Sequence, residues 1–179
     1  MALHITSNTK SLVLIPSSKK ELHSLITSCG HAVRTVKEEL DRQGPDVDLN
    51  HIDTSLITDM SYLFYDLDIR NIKIDQWDVS NVTNMSFMFY ECKNFEGNGL
   101  ENWDVSKVEN MEDMFSYCKQ LNVDLSSWNV ANVTNMKYMF YFCERFKCDL
   151  SEWDVYKVTS YYNTFYKCPK MTPELQPHF

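Results

Sequence analysis

Glycine and proline are scarce, at 4 and 5 in 179 residues, which excludes collagen-like and linker-rich chains. No apolar run approaches the roughly 18 residues of a membrane span. The only apolar run near the start, Leu12 to Ile15, is too short for a signal-peptide core and has only Lys10 as a basic residue before it. The expected location is therefore cytoplasmic, without membrane insertion. Positive charge is also short: 17 Lys and Arg face 25 Asp and Glu, a net charge of -8. The excess lies beyond residue 50, since the first fifty residues carry six of each sign. An acidic surface repels phosphate, so nucleic acid is not the expected partner. Histidine is confined to His4, His23, His31, His51 and His178. Phosphate loops and nucleophile elbows are missing. The reading is of a protein that is not an enzyme and uses no cofactor.

What is present is a repeat. WDVSNVTNMSFMFYEC begins at Trp77, WDVSKVENMEDMFSYC at Trp103, WNVANVTNMKYMFYFC at Trp128 and WDVYKVTSYYNTFYKC at Trp153. The tryptophans stand 26, 25 and 25 residues apart, and a weaker copy, IDTSLITDMSYLFYDL, begins 25 residues earlier at Ile52. The extra residue falls near Gly97–Asn98–Gly99. A period of 20–29 residues belongs to leucine-rich-repeat-like solenoids.

Each copy carries two patterns. Before the tryptophan, Ile72 and Ile74, Val123 and Leu125, and Cys148 and Leu150 alternate with polar residues, as in a short half-buried strand. The copy at Asn98–Gly99–Leu100 keeps only Leu100 and predicts a weak or bulged strand. After the valines, Met85, Met88, Phe89 and Cys92 fall at i, i+3, i+4 and i+7, one face of a helix, with Thr83 or Asn84 as N-cap. The expected fold is thus α/β: a leucine-rich-repeat-like solenoid of about five 25-residue strand-turn-short-helix repeats. Strands at ~4.8 Å and helices at ~8–10 Å would curve it, with the strands on the concave side. Residues 1–50 read as a cap with a strand over Ser11–Ile15 and a helix from a capping box at Ser18–Glu21. The solenoid spans 51–171 and a Pro-bearing tail 172–179.

The motif W-D-V-S-N-V-T-N-M-x-x-M-F-x-x-C from Trp77 to Cys92 resembles the BspA-like leucine-rich-repeat proteins, the mycoplasma-lipoprotein-type repeat, over about residues 52–171. The resemblance implies a bacterial surface or interaction protein that binds host or matrix proteins or mediates adhesion. It implies a cell-surface or secreted location as the alternative to a cytoplasmic one. It carries no catalytic residues.

Cys92, Cys118, Cys143 and Cys168 recur once per repeat and read as a buried thiol column; helices ~8–10 Å apart would keep them unbridged. No metal site is expected. Asp78, Asp104 and Asp154 supply too few oxygens for calcium and suit turn hydrogen bonds instead. The expected function is protein–protein interaction with an unidentified partner, through the outward strand positions Lys73, Asp75, Asn122, Asp124, Ser126, Lys147, Asp149 and Ser151. A second column, Tyr65, Tyr90, Tyr141 and Tyr166 interrupted by Ser116, is expected to pack between neighbouring repeats. The alternatives are self-assembly, as a weak homo-oligomer, through a thinly covered C-terminal end bearing Tyr161, Tyr162, Phe165 and Tyr166, or an intracellular sensor or immunity protein.

Overall fold

The computed structural model describes residues 47–50, 54–55 and 57–179. The cap expected over residues 1–50 lies almost wholly outside them. Each 25-residue unit makes one circuit of a coil, and successive units stack in register. Like residues therefore form rows through one interior. Phe64, Phe89, Phe115, Phe140 and Phe165 stack with ring centroids 5.3 to 5.6 Å apart. The indole N–H groups of Trp77, Trp103, Trp128 and Trp153 each donate to a carbonyl of the preceding unit, at Leu49, Ile74, Leu100 and Leu125.

The strand-turn-short-helix, leucine-rich-repeat-like architecture does not form. Among the described residues there is neither an α-helix nor a β-strand. Two short 3₁₀ turns, Leu100–Asn102 and Pro173–Leu175, and isolated parallel bridges are the regular structure. The segments read as helices, 60–67, 85–92, 111–118, 136–143 and 161–168, are rows of β-turns. In the second row Met88, Tyr90 and Cys92 donate to Met85, Phe87 and Phe89, three residues back. The alternate amides Met85, Phe87, Phe89 and Glu91 instead donate to Asn110, Glu112, Met114 and Ser116 of the next unit, at 2.8 to 2.9 Å. The other rows repeat this up to the last. Phe87 and Glu91, third residues of their turns, hold φ of 58°, and equivalent positive values recur in every row. Positive φ at the third turn residue alone is the type II pattern.

The residues read as helix N-caps cap no helix; they make turn and cross-unit hydrogen bonds instead. Asn84, Asn110 and Asn135 accept the amide two residues on through Oδ1, at 3.0 to 3.1 Å. Thr83, Thr134 and Thr159 donate through Oγ1 to a carbonyl of the preceding unit. Met85, Met88, Phe89 and Cys92 are fully buried, so the inward face is as expected on a different backbone.

Before the tryptophan the alternation also holds without a strand: Ile72 and Ile74 are buried and Lys73 exposed. Cross-unit backbone bonds are sparse here, such as Asn122 N–H to the Glu96 carbonyl. The Gly-bearing copy departs furthest. Gly97 and Gly99 hold φ of 92° and 94°, and a Cβ on Gly97 would meet Val123 Cγ1 at 2.7 Å. Neighbouring turn rows are joined by direct hydrogen bonds, so the helix-to-strand spacing mismatch that was to curve the stack is absent.

Candidate functional site

The turn rows carry an exposed aromatic face. The third, sixth and seventh residues of the rows form three columns, part-exposed or exposed in every row but the third, where Asp113 and Ser116 are buried. The third-residue column reads Tyr62, Phe87, Asp113, Tyr138, Asn163; the sixth reads Tyr65, Tyr90, Ser116, Tyr141, Tyr166; the seventh reads Asp66, Glu91, Tyr117, Phe142, Lys167. Tyr62 stacks on Phe87 at 4.8 Å, Tyr65 on Tyr90 at 4.9 Å and Tyr141 on Tyr166 at 5.3 Å. The tyrosine column thus packs between units, as its spacing suggested, yet Tyr65 and Tyr166 stay 44 and 46% exposed. Burial pushes the Tyr90 hydroxyl up to about 12, with Glu91 and the neighbouring tyrosines adding. The Tyr90 hydroxyl is therefore a neutral donor at ordinary pH.

The third unit interrupts this face. Asp113 and Ser116 stand where the units on either side, with Phe87 and Tyr90 and with Tyr138 and Tyr141, carry rings. Tyr117 leans across, meeting Tyr90 at 5.9 Å and Tyr141 at 5.5 Å, both edge-on. Asp113 is 9% exposed and the only charged side chain among the buried described residues. Burial pushes its carboxyl up to about 6; Glu112 adds, while Ser116 and Lys137 pull it down.

The polar residues read as outward positions are partly gathered. Asn122, Asp124, Ser126, Lys147 and Asp149 line a shallow groove of about 400 Å³ with Val123 and Cys148. Ser151 adjoins it, its Oγ 2.7 Å from Asp149 Oδ1. Lys73 and Asp75 lie elsewhere, beside Asp48 and Asn50. Asp124 and Asp149 are held below the usual carboxylate range by the Ser126 and Ser151 hydroxyls and amides. Their oxygens are engaged in Asx turns, as are those of Asp78, Asp104 and Asp154. Among the described residues no group of His, Cys, Asp and Glu is placed to hold a metal ion.

The cysteine column is buried and unbridged. Cys92, Cys118 and Cys143 donate to Phe64, Phe89 and Phe115 carbonyls at 2.9 to 3.0 Å. The helix-spacing argument for free thiols does not apply, because no helices separate the units; each thiol is occupied by a carbonyl instead. Cys148 Sγ lies 3.3 Å from Asp124 Oδ1, and burial pushes its thiol up to about 11.

Sequence reasoning missed Phe87, Tyr62, Tyr138, Tyr117, Phe142 and Asp113. Their signal lay in the variable positions of M-x-x-M-F-x-x-C, where aromatics recur down a column. Helical geometry would have spread those positions around a cylinder, whereas the turn row sets them on one side.

Fold and surface together define a repeat protein of stacked 25-residue turn coils, displaying aromatic and polar columns. The chain belongs to the family described as Mycoplasma protein of unknown function, DUF285, whose model matches residues 38–98 and 58–178. The mycoplasma-type part of the resemblance therefore holds; a leucine-rich-repeat assignment gains no support from it. No curated protein and no solved structure matches the chain. No helix among the described residues is long and apolar enough to cross a membrane.

Proposed function

We propose that this chain is a non-enzymatic protein-interaction module, similar in role to BspA-like proteins, and that its tyrosine face makes the contact. The observation carrying this reading is the run of part-exposed rings from Tyr62 and Tyr65 through Phe87 and Tyr90, carried across the third unit by Tyr117 to Tyr141 and Tyr166. Exposed aromatic patches of this extent mark interaction surfaces, and tyrosine supplies large contact area with a polar tip at low entropic cost. The polar groove around Asp124 and Asp149 is the less favoured surface, since its carboxylates are tied into turns. The test is partner capture from native cells with immobilised full-length chain. Tyr90→Ser with Tyr141→Ser should lower capture at least tenfold, about 1.4 kcal/mol or more. The column already accepts serine at Ser116, so the fold should survive. Asp124→Lys with Asp149→Lys should leave capture intact; the reverse pattern would move the contact to the groove.

A second reading, self-association through the last unit, is favoured by one observation. The amides of Met136, Tyr138, Phe140 and Phe142 all donate to the following unit, whereas those of Tyr161, Asn163, Phe165 and Lys167 find no acceptor among the described residues.

A further inference from the structure

We propose that the open row of the last unit, residues 161–168, binds a short acidic segment of a protein partner, with carboxylates on its backbone amides and an apolar side chain in the groove beside it. The site is separate from the tyrosine-face contact and narrows what the last unit receives. Three observations meet there. The first is the polarity of the row. In the unit before it, the amides of Met136, Tyr138, Phe140 and Phe142 donate to the carbonyls of Ser160, Tyr162, Thr164 and Tyr166. The equivalent amides of Tyr161, Asn163, Phe165 and Lys167 stand at the open end with no acceptor among the described residues. Tyr162 adds another. Ser160 replaces the asparagine whose Oδ1 takes the matching amide of Ser86, Glu112 and Lys137 in earlier units.

The carbonyls of the same row are spent. Those of Ser160, Tyr162, Thr164 and Tyr166 accept from the preceding unit, and those of Tyr161, Asn163 and Phe165 accept the turn amides of Thr164, Tyr166 and Cys168. The open row therefore offers donors only. Its match is a ligand of acceptors only, and an ionised carboxylate is one, with charge to strengthen each bond. A regular strand brings donors and acceptors in equal number and answers the row only in part. A second copy offering its own last row would set donors against donors.

The second observation is charge. The chain carries a net charge of -8, yet two columns turn basic as they reach this end. The seventh-residue column runs from Asp66 and Glu91 to Lys167, and the position two beyond the cysteine runs Asn94, Gln120, Arg145, Lys170. Arg145, Lys167 and Lys170 are exposed, and none has a carboxylate within 4 Å among the described residues. Lys167 Nζ rests instead 5.6 Å from the Tyr166 ring centroid. Glu144, the one carboxylate lining the groove, is already paired with Lys119 at 2.9 Å. The third observation is the groove itself, about 590 Å³, walled by Phe142, Phe165 and Pro169. Phe165 ends the buried phenylalanine stack and, unlike Phe140, is only part-buried. That wall suits an apolar side chain between acids. The acidic rest of the surface repels a long polyanion such as nucleic acid, whereas a segment of a few residues meets only this end.

The test is a titration of the full-length chain at pH 7 with a blocked heptapeptide of glutamates around a central phenylalanine. The same peptide with glutamine for glutamate is the control, and amide chemical shifts are the readout. Saturable shifts at Tyr161, Asn163, Phe165 and Lys167 are expected, with a dissociation constant on the order of 100 μM. Arg145→Gln with Lys167→Gln and Lys170→Gln should weaken binding roughly tenfold or more. All three positions are exposed, and Gln120 already stands in one of the columns, so the fold should survive. Equal shifts with the glutamine peptide, undiminished binding by the triple variant, or no saturable shift in the unaltered chain would each overturn the site. So would tighter binding of a single-stranded oligonucleotide at these amides, which would make the ligand a polyanion. Shifts there that grow with protein concentration alone would give the row to a second copy and overturn it too. If the peptide fails to bind while Tyr90→Ser with Tyr141→Ser still lowers partner capture, the tyrosine-face reading stands and only this site falls.

Discussion

Ten described residues other than glycine hold positive φ, among them Tyr62, Phe87, Tyr117, Tyr138 and Phe142. Each costs about 1 kcal/mol or more relative to an ordinary conformation. What offsets the cost is the next unit: the amides of Tyr62, Phe87, Tyr117, Tyr138 and Phe142 all donate across, at 2.7 to 3.0 Å. Asp113 adds electrostatic strain at the same kind of position. Its folded carboxyl, pushed up to about 6 from 3.8, binds its proton more tightly than the unfolded chain does. Stability from this group is therefore fully present below about pH 4, declines as pH rises towards 6 and stays lower above it. Asp113→Asn should remove that slope. Thermal scans should show the variant melting a few degrees above the unaltered chain at pH 7 to 8, with the gap closing towards pH 4. A constant gap at all pH values would contradict the burial of an ionised carboxylate. Asp104, Asp124 and Asp149 act oppositely. Serine hydrogen bonds lower their folded values, so their contribution is present above the ordinary carboxylate range and is lost as pH falls below it.

At the scale of the element, the instructive case is residues 85–92. Inward positions at i, i+3, i+4 and i+7 fit a helix of 3.6 residues per turn. They equally fit a row in which the backbone repeats every four residues, as the positive φ of Phe87 and Glu91 shows. Over eight residues the two periods diverge by only about 80°, too little for a buried stripe to separate them. The burial pattern was legible and the backbone carrying it was not. Glycine, the usual sign of a type II turn, is missing from these rows, and Phe, Glu, Asp or Tyr stands there instead. The tryptophan corner is a sharper element. Trp103 is buried with its indole N–H on the Ile74 carbonyl at 3.1 Å. Trp103→Phe deletes that bond between units and leaves a void, so stability should fall by about 1–3 kcal/mol. A urea midpoint unchanged by this substitution would refute the row as a tie between units.

For the molecule as a whole, the last unit of the described stack is covered over only part of its circuit. Beyond the last row, residues 172–179 continue the repeat register for half a circuit. Leu175 accepts the Leu150 amide, and Phe179 stacks on Tyr161 at 4.7 Å. The other half carries the unanswered amides of Asn163, Phe165 and Lys167 beside a groove of about 590 Å³ lined by Phe142, Glu144, Phe165, Lys167, Cys168 and Pro169. Unpaired amides in a row template another chain. Under the self-association reading, light scattering should show dimer mass growing with concentration and lost in Tyr162→Lys with Tyr166→Lys. A monomer mass at every concentration would remove that reading. The same stack makes stability a sum of contacts between neighbours, so lesions in Trp103 and Asp113 should act without unfolding distant units independently.

By itself the sequence determined the 25-residue period, the buried columns of Trp, Met, Phe and Cys, and the turn role of the aspartates, whereas Asn84, Asn110 and Asn135 read as helix N-caps and proved to be turn residues. All of these follow from side-chain pattern and local hydrogen-bonding chemistry. Only the tertiary structure decided that Met85–Cys92 folds as turns, and that Phe87, Asp113 and Tyr138 share one column. The reason is that the hydrogen bonds selecting turns over a helix run between units, so a segment read alone contains no trace of them.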